Sequence, residues 1–390
     1  ITFYRKILLL DASSDIKLAN TIALYFLPSN YNLKIKRIHS GIINKTFLVL
    51  PFKSKEFAPF ILQKVSSIVF SNPIDLISNY LILEEYIDSN NYFTKKQEES
   101  SIIFPKLLIN LHTYKKYLIH QDKLWRAFDY IPNTISYDVT PSPVITFNLF
   151  RGLSEFHSFT SNIRSESLLK VIPNFHNTPL VSSLYTSKLH SFISSKKDLK
   201  DYSYLLQLVE IVKKQEPNIF LLERSKSLST ISHGIIHGDP KINNFLFDLK
   251  TNKFVSLIDL DTLQEGLILY DIADCLRSCC NPLGEETDSI EDVKFSFDSY
   301  QQALLGYLSY RNKIITKNDI TLIPASIKII TFELALRFLI DYMNGNIYFN
   351  STYENQNLDR ANIQLRLLAS INDQLDSIVS FTNSLISTVF

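Results

Sequence analysis

Between the apolar runs "GII" and "FLF" the chain places His237, Asp239, Lys241 and Asn244, and beyond the following turn it places Asp259 and Asp261. Carboxylate and carboxamide oxygens gathered at one point suit a hard cation such as Mg²⁺, which is held by one or two carboxylates together with substrate phosphates. An Asp on the same loop can accept the proton of an attacking hydroxyl. Asp239 lies five residues before Asn244, so the two share one short loop. The segments "NNFLFD" and "KFVSLID" read as strands flanking the turn "DLKTN", and antiparallel pairing through that turn brings Asn244 beside Asp259. A plain polar turn between two strands is the bland alternative. A rival chemistry has His233, His237, Asp239 and Asp259 ligating the metal of a hydrolase. That His-x-x-x-His pair shares one face on a helix, yet "HGIIHGDP" carries two Gly and a Pro and makes poor helix. His237 is therefore expected to hydrogen-bond backbone and shape the loop.

The elements around this loop divide the chain into halves. "LKIKRIHS", "KTFLVLPFK" and "PFILQKVSS" are short, rich in Ile, Val, Phe and Thr, and separated by turn residues, which predicts an antiparallel meander. "NPIDLISNYLILEEYIDSN" follows as a helix, with Asn72 as cap, Pro73 in the first turn, and Ile74, Ile77, Leu81 and Tyr86 at helical spacing. "KKYLIH" and "KLWRAFDYI" form a hairpin through "QDK". From "PVITFNLFRGLSEFHSF" onward the pattern is helical, interrupted by the block from His233 to Asp259. The expected fold class is α+β: a strand-rich N-terminal lobe over 1–128, a hinge over 129–133, and a helical C-terminal lobe over 134–390. A cleft between lobes is a preferred place for a ligand.

An Asp, an Asn five residues later and a further Asp beyond a hairpin, in that order after a strand-rich lobe, resemble the catalytic loop and metal site of protein kinases. The phosphate-binding parts are fainter. "HSGIINKTF" offers Gly41 with the small polar neighbours Asn44 and Thr46, which suits either a backbone cradle for phosphate or an ordinary hairpin turn. Lys64 in "PFILQKVSS" is placed to reach the α- and β-phosphates, or is a solvated strand Lys. Glu85 on the next helix is the candidate to orient Lys64, with Glu84 competing.

"HGDPKINN" with "LIDLDT" resembles the aminoglycoside phosphotransferase and choline kinase superfamily. "ILQKVSSIVFSNPIDLISN", "WRAFDYIPNTISYD", "VIPNFHNTP", "LIDLDTLQEGLILYDIADCLRS", "ELALRFLIDYMNGNIYF" and "NLDRANIQ" narrow the likeness to the N-acetylhexosamine 1-kinase group, over roughly Ile38 to Ile371. The resemblance implies a protein-kinase-like two-lobe fold that uses ATP and Mg²⁺ to phosphorylate the anomeric hydroxyl of an N-acetylhexosamine. It implies Asp239 as base, Asn244 and Asp259 as metal ligands with Asp261 a supporting carboxylate, and Lys64 on the phosphates. Asp271 would brace the loop, and "RAFDYIPNT" would be the hinge that meets adenine. Arg337 and Tyr348 are candidates for the sugar hydroxyls; for Arg337 the competing reading is a structural pair with Asp341 at i+4. Lys241 either steadies a phosphate or points to water. The group tends to have Asn and Thr where this chain has Gly238 and Pro240, and Gly where it has Ala273. Two other readings stay open: a small-molecule kinase acting on another acceptor such as choline or an aminoglycoside, and a non-catalytic nucleotide-binding module.

Composition fits this frame. The 390 residues, 45% hydrophobic and 20% charged, can bury a large core. With 40 Lys and Arg against 39 Asp and Glu, the charge excludes a nucleic-acid-coating surface or a polybasic membrane anchor. No apolar run approaches the ~18 residues of a spanning helix, and a cytoplasmic protein is expected. Cys275, Cys279 and Cys280 match no disulfide framework or paired zinc pattern and read as small buried side chains on a helix.

Overall fold

In "KTFLVLP" the inward positions Phe47 and Val49 are fully buried while their neighbours are half-exposed, the period-2 pattern of a strand with one face on a core. This strand, β2 (Lys45–Pro51), lies in a five-stranded antiparallel sheet ordered β1-β2-β3-β5-β4, with β1 Leu33–Ile38, β3 Phe60–Lys64, β4 Leu118–His120 and β5 Lys123–Asp129. The computed structural model describes residues 14–28, 31–38, 43–52, 57–89, 102–195, 202–310 and 314–389. Helical residues 14–23 (α1) contribute Ala19, Ile22 and Ala23 to the core that Phe47, Leu62 and Trp125 form on the sheet. Gln121 and Asp122 both have positive φ, the geometry of a two-residue turn that follows the twist of β4 and β5. Helix α2 (Ile74–Ser89) begins where Asn72 bonds Asp75 through both its carbonyl, at 3.1 Å, and its side-chain amide, at 2.7 Å. Its buried face is Leu76, Ile77, Tyr80, Leu83 and Ile87, whereas Ile74 and Leu81 are exposed. Of the apolar spacing taken from sequence, Ile77 lies on the buried face, Tyr86 is half-buried, and Ile74 and Leu81 face outward, because the helix has apolar residues on both faces.

The chain divides into two compact units, Ile1–Asn91 with Phe104–Asn133, and Tyr92–Ile103 with Thr134–Phe390. The first unit is thus not the continuous stretch 1–128. Ile103 belongs with the second unit, where its N–H donates to the Val255 carbonyl at 2.9 Å.

In the second unit α3 (Pro143–Thr160) starts with Ser142 accepting from the Ile145 N–H and Pro143 in the first turn. It is followed by α4 (Thr178–Ser195), α5 (Ser203–Gln215) and α6 (Leu221–Ser227). Two small sheets interrupt the helices: β7 (His233–Ile236) pairs with β10 (Gln264–Leu267), and β6 (Thr134–Ile135), β8 (Phe245–Asp248) and β9 (Phe254–Leu257) form the other. Then come α7 (Ile268–Cys279), buried at every position, α8 (Phe297–Ser309), α9 (Lys317–Met343), α10 (Gln356–Asp373) and α11 (Leu375–Val389). The architecture is α+β. The three cysteines are buried on α7 and at its end.

Gly306 lets α8 approach α3 closely: a Cβ there would stand 2.2 Å from the Phe147 carbonyl oxygen. That approach seats Tyr307 beside His157, which the site described next depends on. Gly306→Ala is expected to lower the thermal midpoint, at a cost of about 1–3 kcal/mol for forcing the helices apart; a melting curve matching the parent would contradict the contact.

Candidate active site

The loop leaving β7 is fixed by one buried carboxylate. Asp271, in the first turn of α7, accepts from the backbone N–H of His237 at 2.7 Å and of Gly238 at 2.8 Å. His157 on α3 places Nε2 2.9 Å from the same carboxylate and Nδ1 2.8 Å from the Tyr307 hydroxyl. All of this is buried. A carboxylate receiving several N–H bonds in a low-dielectric interior makes strong, charge-assisted contacts. Gly238 takes a positive φ of 86°, and a Cβ there would stand 2.9 Å from the Thr262 carbonyl oxygen. A residue with a side chain is disfavoured on both counts.

His237 then ties the two halves of the hairpin together. Its Nδ1 accepts from the Asp239 N–H at 3.2 Å, which leaves Nε2 to donate to the Ile258 carbonyl at 2.9 Å. Its own carbonyl accepts from the Thr262 hydroxyl at 2.6 Å. The pair His233 and His237 is not a ligand pair: His233 begins β7, exposed and opposite Leu267, and four extended residue steps set the two about 13 Å apart. Among the described residues no group of three His, Cys, Asp or Glu is arranged to hold a metal.

β8 and β9 pair with Phe245 opposite Leu257, and the Ile258 N–H donates to the Asn244 carbonyl at 2.9 Å. Asn244 thereby lies next to Asp259. The Asn244 amide nitrogen donates to the Asp239 carbonyl at 2.8 Å, leaving its carbonyl oxygen as the side chain's acceptor. Asp259 is held in the left-handed region, φ 62° and ψ 53°, at the entry to a short 3₁₀ turn, and Asp261 in that turn is buried. An amide oxygen beside a carboxylate is an all-oxygen donor set of the kind Mg²⁺ takes, with substrate phosphates completing its shell.

Asp239 stands 3.1 Å from the ammonium of Lys241, and both side chains are largely covered. Burial pushes the Asp239 carboxyl up, but Lys241 above all, with His237 and then Arg277 adding to it, holds the group below the usual carboxylate range. Burial pushes Lys241 down, yet Asp239, Glu285 and Asp259 hold it above its ordinary value. Lys241 is therefore neither idle nor solvated: it is the counter-ion of Asp239.

A pocket of about 240 Å³ opens in the same unit, lined among others by Phe175, His176, Glu333, Arg337, Tyr348 and Phe349. His176 links it to the loop. Its Nε2 lies 2.8 Å from the Gly238 carbonyl and its Nδ1 3.2 Å from Glu333, which also accepts from Thr178. Arg337 does not pair with Asp341. The Asp341 carboxylate accepts instead from the N–H groups of Ile347, Tyr348 and Phe349 and from Asn357. Arg337 lies over the rings of Phe175, Tyr348 and Phe349, 5.0–5.7 Å from their centroids, and donates to the Tyr348 hydroxyl at 3.3 Å.

In the first unit, Lys64 faces Lys45 on β2 and Trp125 on β5, with its ammonium 5.9 Å from the indole ring. Burial, reinforced by Lys45, lowers its pKa, with Asp15 opposing. Asn44 commits its side-chain oxygen to the Ser66 N–H at 3.0 Å, and Thr46 accepts from Gln63 at 3.2 Å. Glu85 is exposed. Glu84 is the inward carboxylate, and it binds the Leu107 N–H and Lys116 rather than Lys64. Gly41 lies outside the described residues. At the expected hinge Asp129 accepts from the Lys106 N–H at 2.6 Å, and Asn133 has φ 58°.

Residues 108–292 match the family model described as the phosphotransferase enzyme family. The fold is similar to that of choline kinase from Cryptosporidium parvum, at 16% identity over 96% of this chain and 99% of that one, with a TM-score of 0.56. It is similar to an aminoglycoside phosphotransferase from Alicyclobacillus acidocaldarius, at 17% identity over 92% and 96% of the two chains and TM-score 0.56. An ethanolamine kinase from Plasmodium vivax aligns over 84% and 81% at 16% identity and TM-score 0.51. The fold is thus kinase-like. The loop from His237 to Asn244, the hairpin with Asp259, and α7 all lie inside the segment that matches the phosphotransferase family model. Among the described residues no helix is long and apolar enough to cross a membrane.

His157, His176, Glu333 and Arg277 were not singled out from sequence. His176, Arg277 and Glu333 lie within segments that carry the family resemblance, and His157 had no signal beyond its place in a helical run. The ionised pair makes one prediction. Asp239 keeps its charge above the ordinary carboxylate range and loses it only as pH falls through its depressed value, while Lys241 stays charged until pH rises through its raised one. Lys241→Met is expected to move the acid limb of the kcat/KM profile to higher pH; an unmoved limb would show that Asp239 titrates independently of Lys241.

Proposed function

We propose that this protein transfers the γ-phosphoryl group of ATP to a hydroxyl of a neutral polyol, and that the acceptor is an N-acetylhexosamine phosphorylated at its anomeric hydroxyl. The observation that carries the choice of acceptor is the state of Arg337. A cationic acceptor such as choline needs aromatic or acidic caging, and the aromatic faces of this pocket are already covered by the Arg337 guanidinium. A second cation would meet a fixed one, whereas sugar hydroxyls can accept from Arg337 and exchange with Tyr348. The pocket volume, about 240 Å³, lies below the ~300–1,000 Å³ of sites for drug-sized ligands, which suits one ring better than a multi-ring aminoglycoside.

In this reading Asp239 orients the attacking hydroxyl and takes its proton as the O–P bond forms. Lys241 keeps Asp239 ionised and steers its second oxygen. His237 and Asp271 hold the backbone that carries the base, so the reacting groups need little reorganisation. Asn244 and Asp259, with Asp261 behind them, would hold Mg²⁺, which supplies charge neutralisation on the transferring phosphoryl group. Lys64, made less basic by burial, is assigned to the phosphates, and the backbone around Asp129–Asn133 to adenine.

Asp239→Asn should abolish turnover while leaving ATP binding intact; a variant that still turns over removes Asp239 from its role. The acceptor is tested by ATP consumption with N-acetylglucosamine, N-acetylgalactosamine, hexoses, choline, ethanolamine and aminoglycosides, with NMR of the product to locate the phosphate. Consumption is expected with the N-acetylhexosamines. Consumption with choline or ethanolamine alone would overturn the reading of Arg337.

A further inference from the structure

The peptide unit that precedes Asp239 is held by an imidazole at each end. Its N–H, that of Asp239, donates to His237 Nδ1 at 3.2 Å, and its oxygen, that of Gly238, lies 2.8 Å from His176 Nε2. His176 comes from the segment between α3 and α4 and lines the pocket. Asn174 and His176 both take a positive φ, 58° and 60°, a conformation that residues with side chains keep only where their surroundings over-determine it. Those surroundings are the Gly238 carbonyl, the Glu333 carboxylate 3.2 Å from Nδ1, and the rings of Phe175 and Tyr270.

Both hydrogen-bond partners of the ring are acceptors. A carbonyl oxygen has no proton to give, and Glu333 is an ionised carboxylate that takes a further bond from the Thr178 hydroxyl. Burial pushes the Glu333 carboxyl up, and His176, Arg337 and Thr178 outweigh it and hold it below the usual range. Each nitrogen of His176 therefore carries a proton, which is the imidazolium form. Around the ring stand Glu333 with Arg337 on α9, Asp274 on α7, and on the loop the ion pair of Asp239 with Lys241. The Tyr270 hydroxyl of α7 donates to Glu223. Burial pushes the imidazole down, but Glu333, by hydrogen bond and charge, with Asp274 and the Gly238 carbonyl adding to it, holds it above its ordinary value.

We infer that His176 is a positioning residue for phosphoryl transfer: as an imidazolium it fixes the Gly238–Asp239 peptide from the pocket side and so ties the base to the wall of the pocket. This rests on the reading of Asp239 as the base. When the ring loses one proton, the other stays with the ionised acceptor, Glu333, whose hydrogen bond is the stronger. Nε2 then turns a lone pair toward the Gly238 carbonyl, and the peptide is released. The charged ring is complete below the ordinary histidine value and is lost as pH rises through the raised one, so kcat falls on the alkaline side.

The first test is Glu333→Gln. Its amide oxygen accepts from Thr178 as the carboxylate does, and its amide N–H donates to Nδ1, so a neutral ring protonated at Nε2 satisfies both sides and still holds Gly238. Nitrogen-15 NMR of the ring, assigned by its loss in His176→Gln, is expected to show both nitrogens protonated at neutral pH in the wild type and Nε2 alone in Glu333→Gln. With the acceptor of the panel above on which ATP is consumed fastest, the wild-type kcat should fall as the ring titrates, and that fall should be absent in Glu333→Gln. The second test separates the two bonds: His176→Asn keeps a donor only at the Nδ1 place and His176→Gln only at the Nε2 place. The Asn variant should lose roughly 10- to 100-fold in kcat, with KM for ATP nearly unchanged, and the Gln variant should regain most of it. A neutral wild-type ring at neutral pH, a kcat profile unaltered in Glu333→Gln, or equal losses in the two His176 variants overturns the role of His176 while phosphoryl transfer stands. An Asp239→Asn variant that still turns over overturns the base itself, whatever the NMR shows. If His176→Asn unfolds, the ring's protonation and the profile of Glu333→Gln decide.

Discussion

The arrangement depends on the buried carboxylate of Asp271. It sits at the start of α7, takes the two N–H groups of the turn at His237–Gly238, and is oriented from behind by His157. A loop that carries the proposed base must resist both collapse and wandering, and a loop with a Gly and a Pro on either side of Asp239 has few side chains with which to do so. Here the rigidity comes from outside. The α7 helix donates a charge, α3 donates a histidine, and α8 fixes that histidine through Tyr307. The tight seat of Gly306 on α3 is therefore part of the site, although it lies on the far side of it. Removing the charge of Asp271 would leave buried N–H donors without an acceptor, which costs more than the bonds themselves contribute.

A second layer of constraint comes from how the polar groups share partners. His237 reads two strands at once, one through each ring nitrogen, so the position of Asp239 and the position of Asp259 are not independent. Asn244 spans the same gap from the other side, with its backbone on Ile258 and its side chain on Asp239. Lys241 closes the set by balancing Asp239 against two further carboxylates, Glu285 and Asp259. Such mutually dependent bonds explain why the proposed base and metal ligands occupy so short a piece of chain: each short link transmits its geometry directly to the next.

The sequence disclosed what is local. The hairpin after Asn244, the bonding role of His237 and the strand order of the meander all follow from turn residues and period-2 patterns over a few positions. What it disclosed poorly has a common cause. For α2 the apolar residues surround the helix, so periodicity alone selected Ile74 and Leu81, which face outward. For Arg337 the spacing to Asp341 offered an i+4 pair, and nothing local announces that three backbone N–H groups of the turn at 347–349 have already taken that carboxylate. Glu84 rather than Glu85 turns inward because its partners, Leu107 and Lys116, come from more than twenty residues away. His157 is 114 residues from the carboxylate it orients, and its single-residue signal is no different from that of any histidine on an apolar helix.

The same competition for partners bears on the acceptor. A pocket can recognise a ligand only with groups that its own framework has not consumed. Asp341 is spent on the turn that presents Tyr348, and Glu333 is spent on His176 and Thr178. The aromatic faces of Phe175, Tyr348 and Phe349 are spent on Arg337. What remains for a ligand is the donor capacity of Arg337 and the hydroxyl of Tyr348. Donors and acceptors set around an apolar floor, with no uncommitted cage for a cation, match a ring that carries several hydroxyls. On this ground the likeness in fold to kinases named for choline and ethanolamine is compatible with a different acceptor, because a shared fold does not fix what a site on it binds.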